Sequence, residues 1–433
     1  MSRDIASLAG AIALALAALL ALGAPAQAAP LRLERVVLIQ RHGVRPPTSS
    51  NAELARYAAQ PWPAWPVAPG ELTPHGARTV ALVGRTLRAA YVRAGLLPRI
   101  GCPAPGAVTV WADGTEQRTR LSGQTLARAL APGCAAKAFW TADAADPVFF
   151  GHGGACHVDA DRARQAVLAD AGPGGLETPA TRRALAALQS VLAPDACEGG
   201  KGYCFSGADS LAGKRPTGPL FLAASLSEDL LLEYAEGMPL ADIGWGRAPP
   251  AVIGRAMATH ERVVQISWRA RYVAARLGGP MARLMLGFLH GRPIDLPDGL
   301  QTTPSTRVLA LAGHDANIAF MGAVFGLDWR LPGEPDSTAP ATALAFELWR
   351  DGATSARYVR PVIYYESLDQ LRSLSPPLAR RLPLRFSGCA EGPLGACPLA
   401  KLERRVEAVV PAGCGALEHP PLDDPLAAST TKP

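Results

Sequence analysis

The 433-residue chain lacks several features that would place it in common functional classes. After residue 22 no apolar run is long enough to cross a bilayer, which argues against an integral membrane protein. No Cys-x-x-Cys pair occurs, so a zinc site built on that spacing is disfavoured. The basic residues are scattered, without a Lys/Arg tract or interleaved aromatic residues, which disfavours nucleic-acid binding. With 48% hydrophobic and 18% charged residues, the composition indicates a globular protein.

The N-terminal residues 1–28 have the organisation of a secretory signal. A single arginine, Arg3, precedes the apolar run at residues 8–22, and residues 26–28 form an Ala-Gln-Ala cleavage site. The alternative is a membrane anchor, but the run is short, rich in alanine and followed by the helix-breaking Gly23. We therefore expect cleavage and export, which would leave a mature chain without a membrane span in the periplasm or the medium.

Eight cysteines and a basic charge balance remain after residue 28. An even number of cysteines in an exported chain predicts disulfides, although the pairing does not follow from sequence alone. The formal charge of +6 suits an anionic partner but does not identify one. The cysteines are Cys102, Cys134, Cys156, Cys197, Cys204, Cys389, Cys397 and Cys414.

The first third of the chain alternates strand-like and helix-like segments. Residues 36–39 and 107–111 are short apolar runs typical of buried strands. Between them, Thr73 is placed to cap a helix that has Pro74 at its first position and keeps helical spacing as far as Gly95. This order predicts an α/β fold with a mainly parallel sheet flanked by helices.

The middle of the chain has a different pattern. Residues 157–292 follow a helical period without a convincing strand, which predicts an all-α subdomain inserted into the α/β unit. Strand character returns at residues 307–311. We therefore expect residues 30–156 and 293–418 to form the α/β domain. The tail at 419–433 is rich in Pro, Ala, Ser and Thr, and we expect it to be disordered.

Residues 41–45 read Arg-His-Gly-Val-Arg and directly follow the first predicted strand. Arginine guanidiniums bind phosphate oxygens through paired N–H groups, and a histidine nitrogen between them could attack phosphorus. The alternative is a surface loop that is merely basic. The order Arg-His-Gly, the position at a strand end and the second arginine, which is set by Pro46 and Pro47, favour a phosphate site.

Two more predicted strands lead into ionisable residues in the same way. Arg118 follows the strand at residues 107–111, and His314 and Asp315 follow the strand at 307–311. In open α/β sheets, ligands bind at the carboxyl ends of the strands. Together with the motif at residues 41–45, these residues supply the phosphate clamp, the nucleophile and the proton donor that a phosphomonoesterase needs.

The motifs Arg41-His42-Gly43-x-Arg45-x-Pro47 and Gly313-His314-Asp315 resemble those of the histidine acid phosphatase family, branch 2 of the histidine phosphatase superfamily. The resemblance is greatest to bacterial periplasmic phytases and glucose-1-phosphatases, and it extends from about residue 31 to residue 414. It implies a phosphoglycerate-mutase-like α/β fold and a reaction that needs no metal and no cofactor.

The resemblance also implies roles for individual residues. His42 would be the nucleophile and Asp315 the proton donor, and Thr48 and Glu228 would belong to the substrate pocket. For Glu228, a solvated or capping role on a helix is the alternative. The phosphate would be held by Arg41, Arg45, Arg118 and His314. The segment before Arg118 is one residue longer than in similar proteins, so Arg120 remains an alternative. The implied disulfides are Cys102–Cys134, Cys156–Cys414, Cys197–Cys204 and Cys389–Cys397.

The chemistry of a phosphate monoester supports an acidic working pH. The ester is anionic and repels nucleophiles until its charge is compensated, which three arginines would do. The same arginines would disfavour a protonated His42, so the imidazole would remain nucleophilic in acid. Asp315 must begin protonated in order to act as a general acid.

We therefore predict an exported, monomeric acid phosphatase that acts on a small-molecule phosphate monoester through a phosphohistidine. Phytate, which is myo-inositol hexakisphosphate, is the first candidate substrate. A glucose-1-phosphatase or a broad-specificity acid phosphatase is the alternative. A phosphotransferase of the mutase type is opposed by the signal sequence, the cysteines and the pair His314-Asp315. A non-catalytic phosphate-ester-binding protein would need neither His42 nor Asp315.

Overall fold

The computed structural model describes residues 31–141, 146–150, 156–211 and 217–415. The predicted signal at residues 1–28 and the predicted disordered tail at 419–433 lie outside these residues. The strands are β1 (Arg32–Arg41), β2 (Val108–Ala112), β3 (Ala138–Phe139), β4 (Val308–Gly313), β5 (Ala343–Arg350), β6 (Arg357–Tyr365), β7 (Arg380–Pro383) and β8 (Cys397–Pro398). The helices are α1 (Asn51–Leu54), α2 (Pro74–Arg93), α3 (Gln117–Leu130), α4 (Ala160–Ala171), α5 (Pro179–Leu192), α6 (Pro219–Glu236), α7 (Pro250–Ala256), α8 (Ala258–Val263), α9 (Arg271–Leu277), α10 (Gly279–His290), α11 (Asp315–Phe325), α12 (Leu368–Ser373) and α13 (Leu399–Val409).

The strands form one mixed sheet in the order β3-β2-β4-β1-β5-β6-β7, with β8 beside β6. The pairs β3–β2, β2–β4 and β4–β1 are parallel, which confirms the predicted α/β class. The β5 strand then runs antiparallel to β1, and β6 runs antiparallel to β5. The parallel half therefore brings the carboxyl ends of β1, β2 and β4 to the same edge of the sheet.

The apolar residues of β1 are buried on both faces of the sheet. Val37 and Ile39 pack into one hydrophobic cluster, and Val36 and Leu38 pack into another on the opposite face. A strand covered on both faces needs a continuous apolar run rather than an alternating one. The run at residues 36–39 is therefore explained by helices that cover both faces of the sheet.

The start of α2 follows the predicted capping pattern. Thr73 is the N-cap residue, and its hydroxyl accepts a hydrogen bond from the backbone N–H of Gly76. Pro74 occupies the first helical position, where its missing N–H costs nothing. The helix therefore begins where the sequence predicts, directly opposite the loop that follows β1.

Helices α4 to α10 all lie between β3 and β4 in the chain. Several of them, including α5, α6 and α7, share a hydrophobic cluster that includes Leu188 of α5 and Leu230 of α6. Leu54 and Trp62, from the loop between β1 and α2, are buried in the same cluster. The loop that follows β1 is thereby packed against the helical part of the molecule.

Four disulfides include all eight cysteines, and they are the pairs that the resemblance implied. The bonds are Cys102–Cys134, Cys156–Cys414, Cys197–Cys204 and Cys389–Cys397. Disulfides are typical of proteins outside the reducing cytosol. A search of the described helices finds no segment with the length and hydrophobicity needed to traverse a bilayer.

Candidate active site

Ionisable residues from three neighbouring strands meet at the carboxyl edge of the parallel half-sheet. Arg41 is the last residue of β1, and its partner in β4 is Gly313, which directly precedes His314. The backbone N–H of His42 donates to the carbonyl of Gly313. From β2, the backbone N–H of Asp113 donates to the carbonyl of Ala312. The register of the strands therefore places residues that are hundreds of positions apart in one site.

Two glycines allow the loop after β1 to approach the start of α2. A Cβ atom on Gly43 would lie 2.1 Å from the carbonyl oxygen of Gly76. A Cβ atom on Gly76 would lie 2.1 Å from the carbonyl oxygen of Val44. Glycine is needed at both positions because any side chain would collide with backbone. This contact fixes the backbone between His42 and Arg45.

The guanidinium of Arg41 is fully buried among carboxylates. Its Nη1 lies 2.8 Å from Asp336 Oδ2 and donates to the carbonyl of Thr338 at 2.7 Å. Its Nη2 pairs with Glu228 and lies 3.1 Å from Asp315 Oδ2. Although burial opposes the charge, the three carboxylates raise the pKa of Arg41 above its usual value. Arg41 is therefore a permanently charged group with a fixed orientation.

His42 is also buried, and within the described ranges only one of its two ring nitrogens has a hydrogen-bond partner. Nδ1 lies 2.9 Å from the carbonyl oxygen of Gly43. A carbonyl oxygen only accepts hydrogen bonds, so Nδ1 carries the proton and Nε2 keeps its lone pair. Burial lowers the pKa of His42 well below the usual value, and the charges of Arg41 and Arg45 lower it further. Burial thus adds to the predicted effect of the arginines, and both favour the neutral imidazole.

Glu228, on α6, connects two of the arginines that the sequence predicts as the clamp. Its carboxylate contacts Arg41 through Oε1 and lies 3.4 Å from Arg45 Nη2 through Oε2. Burial alone would raise its pKa, but Arg45 and Arg41 hold the pKa of Glu228 at about 2. The predicted pocket residue is therefore an ionised carboxylate that holds both guanidiniums in place.

The structure separates the two candidates for the third arginine. Arg118, in the first turn of α3, is part-buried, and burial and the nearby Arg45 lower its pKa. Its charge is among those that lower the pKa of His42. Arg120 instead donates from Nη1 to the carbonyl of Gly114 at 2.5 Å. Arg118 also contacts Glu116 at 3.0 Å, and its charge acts on His42, which favours Arg118 over Arg120 as the third arginine.

His314 and Asp315 stand at the N-terminal end of α11. His314 is the N-cap residue, and its Nε2 lies 2.7 Å from Asp113 Oδ2. Although burial opposes it, the hydrogen bond from His314 lowers the pKa of Asp113, so the carboxylate is ionised. The rings of His42 and His314 meet edge to face, with centroids 5.7 Å apart. Asp113 therefore fixes the ring of His314 beside that of His42.

A cavity of about 410 Å³ opens beside these residues, between the sheet edge and the helices that follow β3. This volume lies in the range of small-molecule sites. Thr48, predicted in the pocket, is exposed at its wall. The polar residues of the wall include Arg45, Thr48, Glu228, Asp229, His260 and Asp315. A larger cavity of about 670 Å³ between α2 and α3 contains none of them.

Three residues of the site were not singled out by the sequence prediction. Asp336 binds Arg41, Asp113 binds His314, and Asp229 lines the cavity. Asp113 directly follows the apolar run of β2, so the rule that located Arg118 could also have located it. Asp336 and Asp229 lie in a loop and within a helix, where no strand-end pattern marks them. In the described part of the chain, no group of three or more His, Cys, Asp or Glu residues is arranged to hold a metal ion.

Comparison with known proteins gives a consistent result. The model of the histidine phosphatase superfamily (branch 2) matches residues 32–173. Phytase AppA of Escherichia coli (strain K12) is 33% identical over 89% of this chain and 94% of its own. Glucose-1-phosphatase of Salmonella typhimurium is 27% identical over 91% of this chain and 97% of its own. The structure of Hafnia alvei phytase in complex with tartrate superposes with a TM-score of 0.80 at 34% identity, covering 90% of this chain and 99% of that one.

Proposed function

Because this chain belongs to branch 2 of the histidine phosphatase superfamily and is a histidine acid phosphatase, we propose that it hydrolyses phosphate monoesters through a phosphorylated His42. The observation that carries this proposal is the state of the His42 ring. Its Nδ1 faces the carbonyl of Gly43 at 2.9 Å, which leaves Nε2 as the free nucleophile beside buried guanidiniums.

In the first step, Nε2 of His42 attacks phosphorus while the bond from phosphorus to the ester oxygen breaks. Arg41, Arg45 and Arg118 compensate the charge on the phosphoryl oxygens. Asp315 gives its proton to the departing alkoxide, which leaves as a neutral alcohol. His314, oriented by Asp113, contributes a further contact to the phosphoryl group.

In the second step, water attacks the phosphohistidine. Asp315, now ionised, accepts a proton from the water as the new oxygen–phosphorus bond forms and the nitrogen–phosphorus bond breaks. Inorganic phosphate and the original His42 result. The same carboxyl group therefore acts as acid in one half-reaction and as base in the other.

Phytate is the proposed substrate. Similar proteins are named phytases, and two of them are Phytase AppA and the Hafnia alvei enzyme. A sugar phosphate is the second candidate because relatives of lower identity are named glucose-1-phosphatases. Both substrates are anionic esters, so the clamp does not distinguish them. The residues of the cavity wall determine which of the two is preferred.

Substrate profiling at mildly acidic pH tests the proposal. We expect release of phosphate from inositol hexakisphosphate, and a higher kcat/KM with it than with glucose 1-phosphate. Activity should be equal with and without EDTA. A preference for glucose 1-phosphate would replace phytate by the second candidate. Failure to hydrolyse any ester, including p-nitrophenyl phosphate, would leave only a phosphate-binding protein.

We also propose that residues 1–28 are removed during export and that the mature enzyme works as a monomer in the periplasm or the medium. The four disulfides support a location outside the reducing cytosol. We propose two structural units: an α/β domain of residues 30–156 and 293–418, and a helical insert of residues 157–292. The insert contributes Glu228 and Asp229 to the cavity.

A further inference from the structure

The cavity lined by Arg45 and Asp315 has a further arginine in its wall, outside the proposed clamp. Arg56 lies in the short helical turn that follows α1, and it lines the cavity together with Arg45. The sequence motifs did not point to it, because it belongs to neither catalytic motif. Among the described residues, Arg45 and Arg56 are the two arginines in the cavity wall. Arg45 pairs with Glu228 as part of the proposed clamp, whereas Arg56 does not pair with Glu228.

The backbone that carries Arg56 is fixed by its neighbours on either side. Leu54 is buried in the helical cluster, and its carbonyl accepts a hydrogen bond from Trp62 Nε1 at 3.1 Å. The ring of Tyr57 meets the ring of Tyr203 edge to face at 6.0 Å. The guanidinium of Arg56 in turn lies over the Tyr57 ring, 4.7 Å from its centroid. The guanidinium of Arg56 is exposed, and its contact with the Tyr57 ring favours a position at the cavity wall.

The positive charge of Arg56 has no carboxylate partner in the described part of the chain. Its nearest acidic neighbour in sequence, Glu53, belongs to the capping box of α1. Glu53 Oε2 accepts hydrogen bonds from the backbone N–H of Ser50 at 2.8 Å and from its hydroxyl at 2.9 Å. The charge of Arg56 contributes to the lowered pKa of Glu53, after the hydrogen bonds from Ser50 and against the effect of burial, but the two side chains form no salt bridge. The guanidinium therefore remains available to an anion in the cavity.

We propose that Arg56 binds a second phosphate group of a polyphosphorylated substrate while the first phosphate occupies the clamp beside His42. The inference rests on the proposed function and specifies its substrate class. A guanidinium binds phosphate oxygens through paired N–H groups, and among the described residues no hydrogen-bond acceptor occupies those of Arg56. A substrate with a single phosphate has no group for this contact.

Arg56 is thus a specificity-determining residue and takes no part in bond breaking. Its removal should weaken the binding of a polyanion and leave the chemistry at phosphorus unchanged. The contact is open to solvent on one side, so its contribution is smaller than that of a buried pair and decreases at high salt.

Calorimetric titration with myo-inositol hexakissulfate, an unreactive polyanion, tests the inference without depending on hydrolysis. We expect Arg56→Gln to weaken binding roughly three- to tenfold relative to the wild type. Arg56→Lys keeps the charge and should restore part of the affinity. The matched control is Arg93→Gln, which removes the same charge from an exposed position on α2 outside the cavity. This control should leave the affinity unchanged.

Kinetics with p-nitrophenyl phosphate, which has one phosphate, complete the test. Its KM and kcat should be the same in Arg56→Gln and the wild type. The inference would be overturned if Arg56→Gln bound hexakissulfate as tightly as the wild type, or if Arg93→Gln lost as much affinity. It would also be overturned if the wild type did not bind hexakissulfate. A parallel loss with p-nitrophenyl phosphate would also overturn it, because Arg56 would then act on the clamp. Absence of phytate hydrolysis with the affinity pattern intact would refute the proposed substrate alone.

Discussion

The proposed action of His42 in acid is favoured because its surroundings penalise the imidazolium ion. Burial is the largest contribution to its lowered pKa, and the neighbouring arginines add to it. Charge compensation by carboxylates keeps those arginines in place, since Glu228 contacts both Arg41 and Arg45. At the residue scale, the proposed nucleophile is a buried imidazole whose neutral form is favoured, next to arginines that are paired with carboxylates.

The proton-donor role of Asp315 predicts a dependence on the leaving group. Asp315 Oδ2 lies 3.1 Å from Arg41, at the wall of the cavity. We expect Asp315→Asn to lower kcat roughly 10²–10⁴-fold with an alkyl phosphate, whose alkoxide needs a proton. The loss should be much smaller with p-nitrophenyl phosphate, whose leaving group is stable as an anion. Steady-state kinetics with both esters check this, and equal losses would refute the donor role.

The raised pKa of Asp229 predicts that the stability of the folded protein depends on pH. Burial, with a contribution from Glu228, raises the pKa of Asp229 to about 8. Between about pH 4 and pH 8 the folded protein keeps a proton that the unfolded chain releases, so this group makes stability fall as pH rises. We expect Asp229→Asn to be more stable than the wild type at pH 7, by roughly 1–4 kcal/mol. The difference should shrink towards zero near pH 4.

Thermal unfolding of both proteins at several pH values measures this difference. Asp170→Asn, at an exposed position on α4, controls for the loss of a carboxylate as such. An Asp229→Asn variant that gains nothing at pH 7, or gains equally at pH 4, would show that Asp229 ionises normally in the folded protein.

At the scale of elements, the close contact between the loop after β1 and the start of α2 fixes the backbone between His42 and Arg45. We expect Gly76→Ala to cost about 1–3 kcal/mol, because its Cβ would lie 2.1 Å from the carbonyl oxygen of Val44. Activity should fall as well, because the displaced backbone leads into Arg45. Gly254→Ala on α7 is the control, since its Cβ meets no atom within 4 Å. This control should be neutral or stabilising by about 0.5–1 kcal/mol.

Denaturant unfolding and activity assays on both variants provide the measurement. If Gly76→Ala retains wild-type stability and kcat, the contact does not fix the loop.

The elements that sequence reasoning predicted well are those with local signals. The start of α2 follows from Thr73 and Pro74, and β1 from its continuous apolar run. The antiparallel half of the sheet carries no such local mark, because pairing direction is set by distant segments. Contacts within the site depend in the same way on distant parts of the chain. Asp336 is 295 residues from Arg41, and Glu228 is 187 residues from it.

At the scale of the whole molecule, one disulfide joins segments far apart in the chain. Cys156 and Cys414 are separated by 258 residues, whereas Cys197 and Cys204 are separated by 7. A cross-link restricts the unfolded chain more when it closes a longer loop. We expect replacement of Cys156 and Cys414 by alanine to cost roughly 5 kcal/mol, against roughly 2 kcal/mol for the short pair. Denaturant unfolding under oxidising conditions compares the two, and equal losses would contradict the loop-length argument.

The whole account depends on a covalent bond between phosphorus and His42. The direct measurement is rapid mixing with p-nitrophenyl phosphate, followed by quenching in alkaline denaturant, in which phosphohistidine survives, and peptide mapping by mass spectrometry. We predict a transient phosphoryl group on the peptide that contains His42, formed with a burst of p-nitrophenol close to one equivalent per chain. His42→Ala should show neither label nor hydrolysis. A label on another residue, or hydrolysis by His42→Ala, would contradict the account.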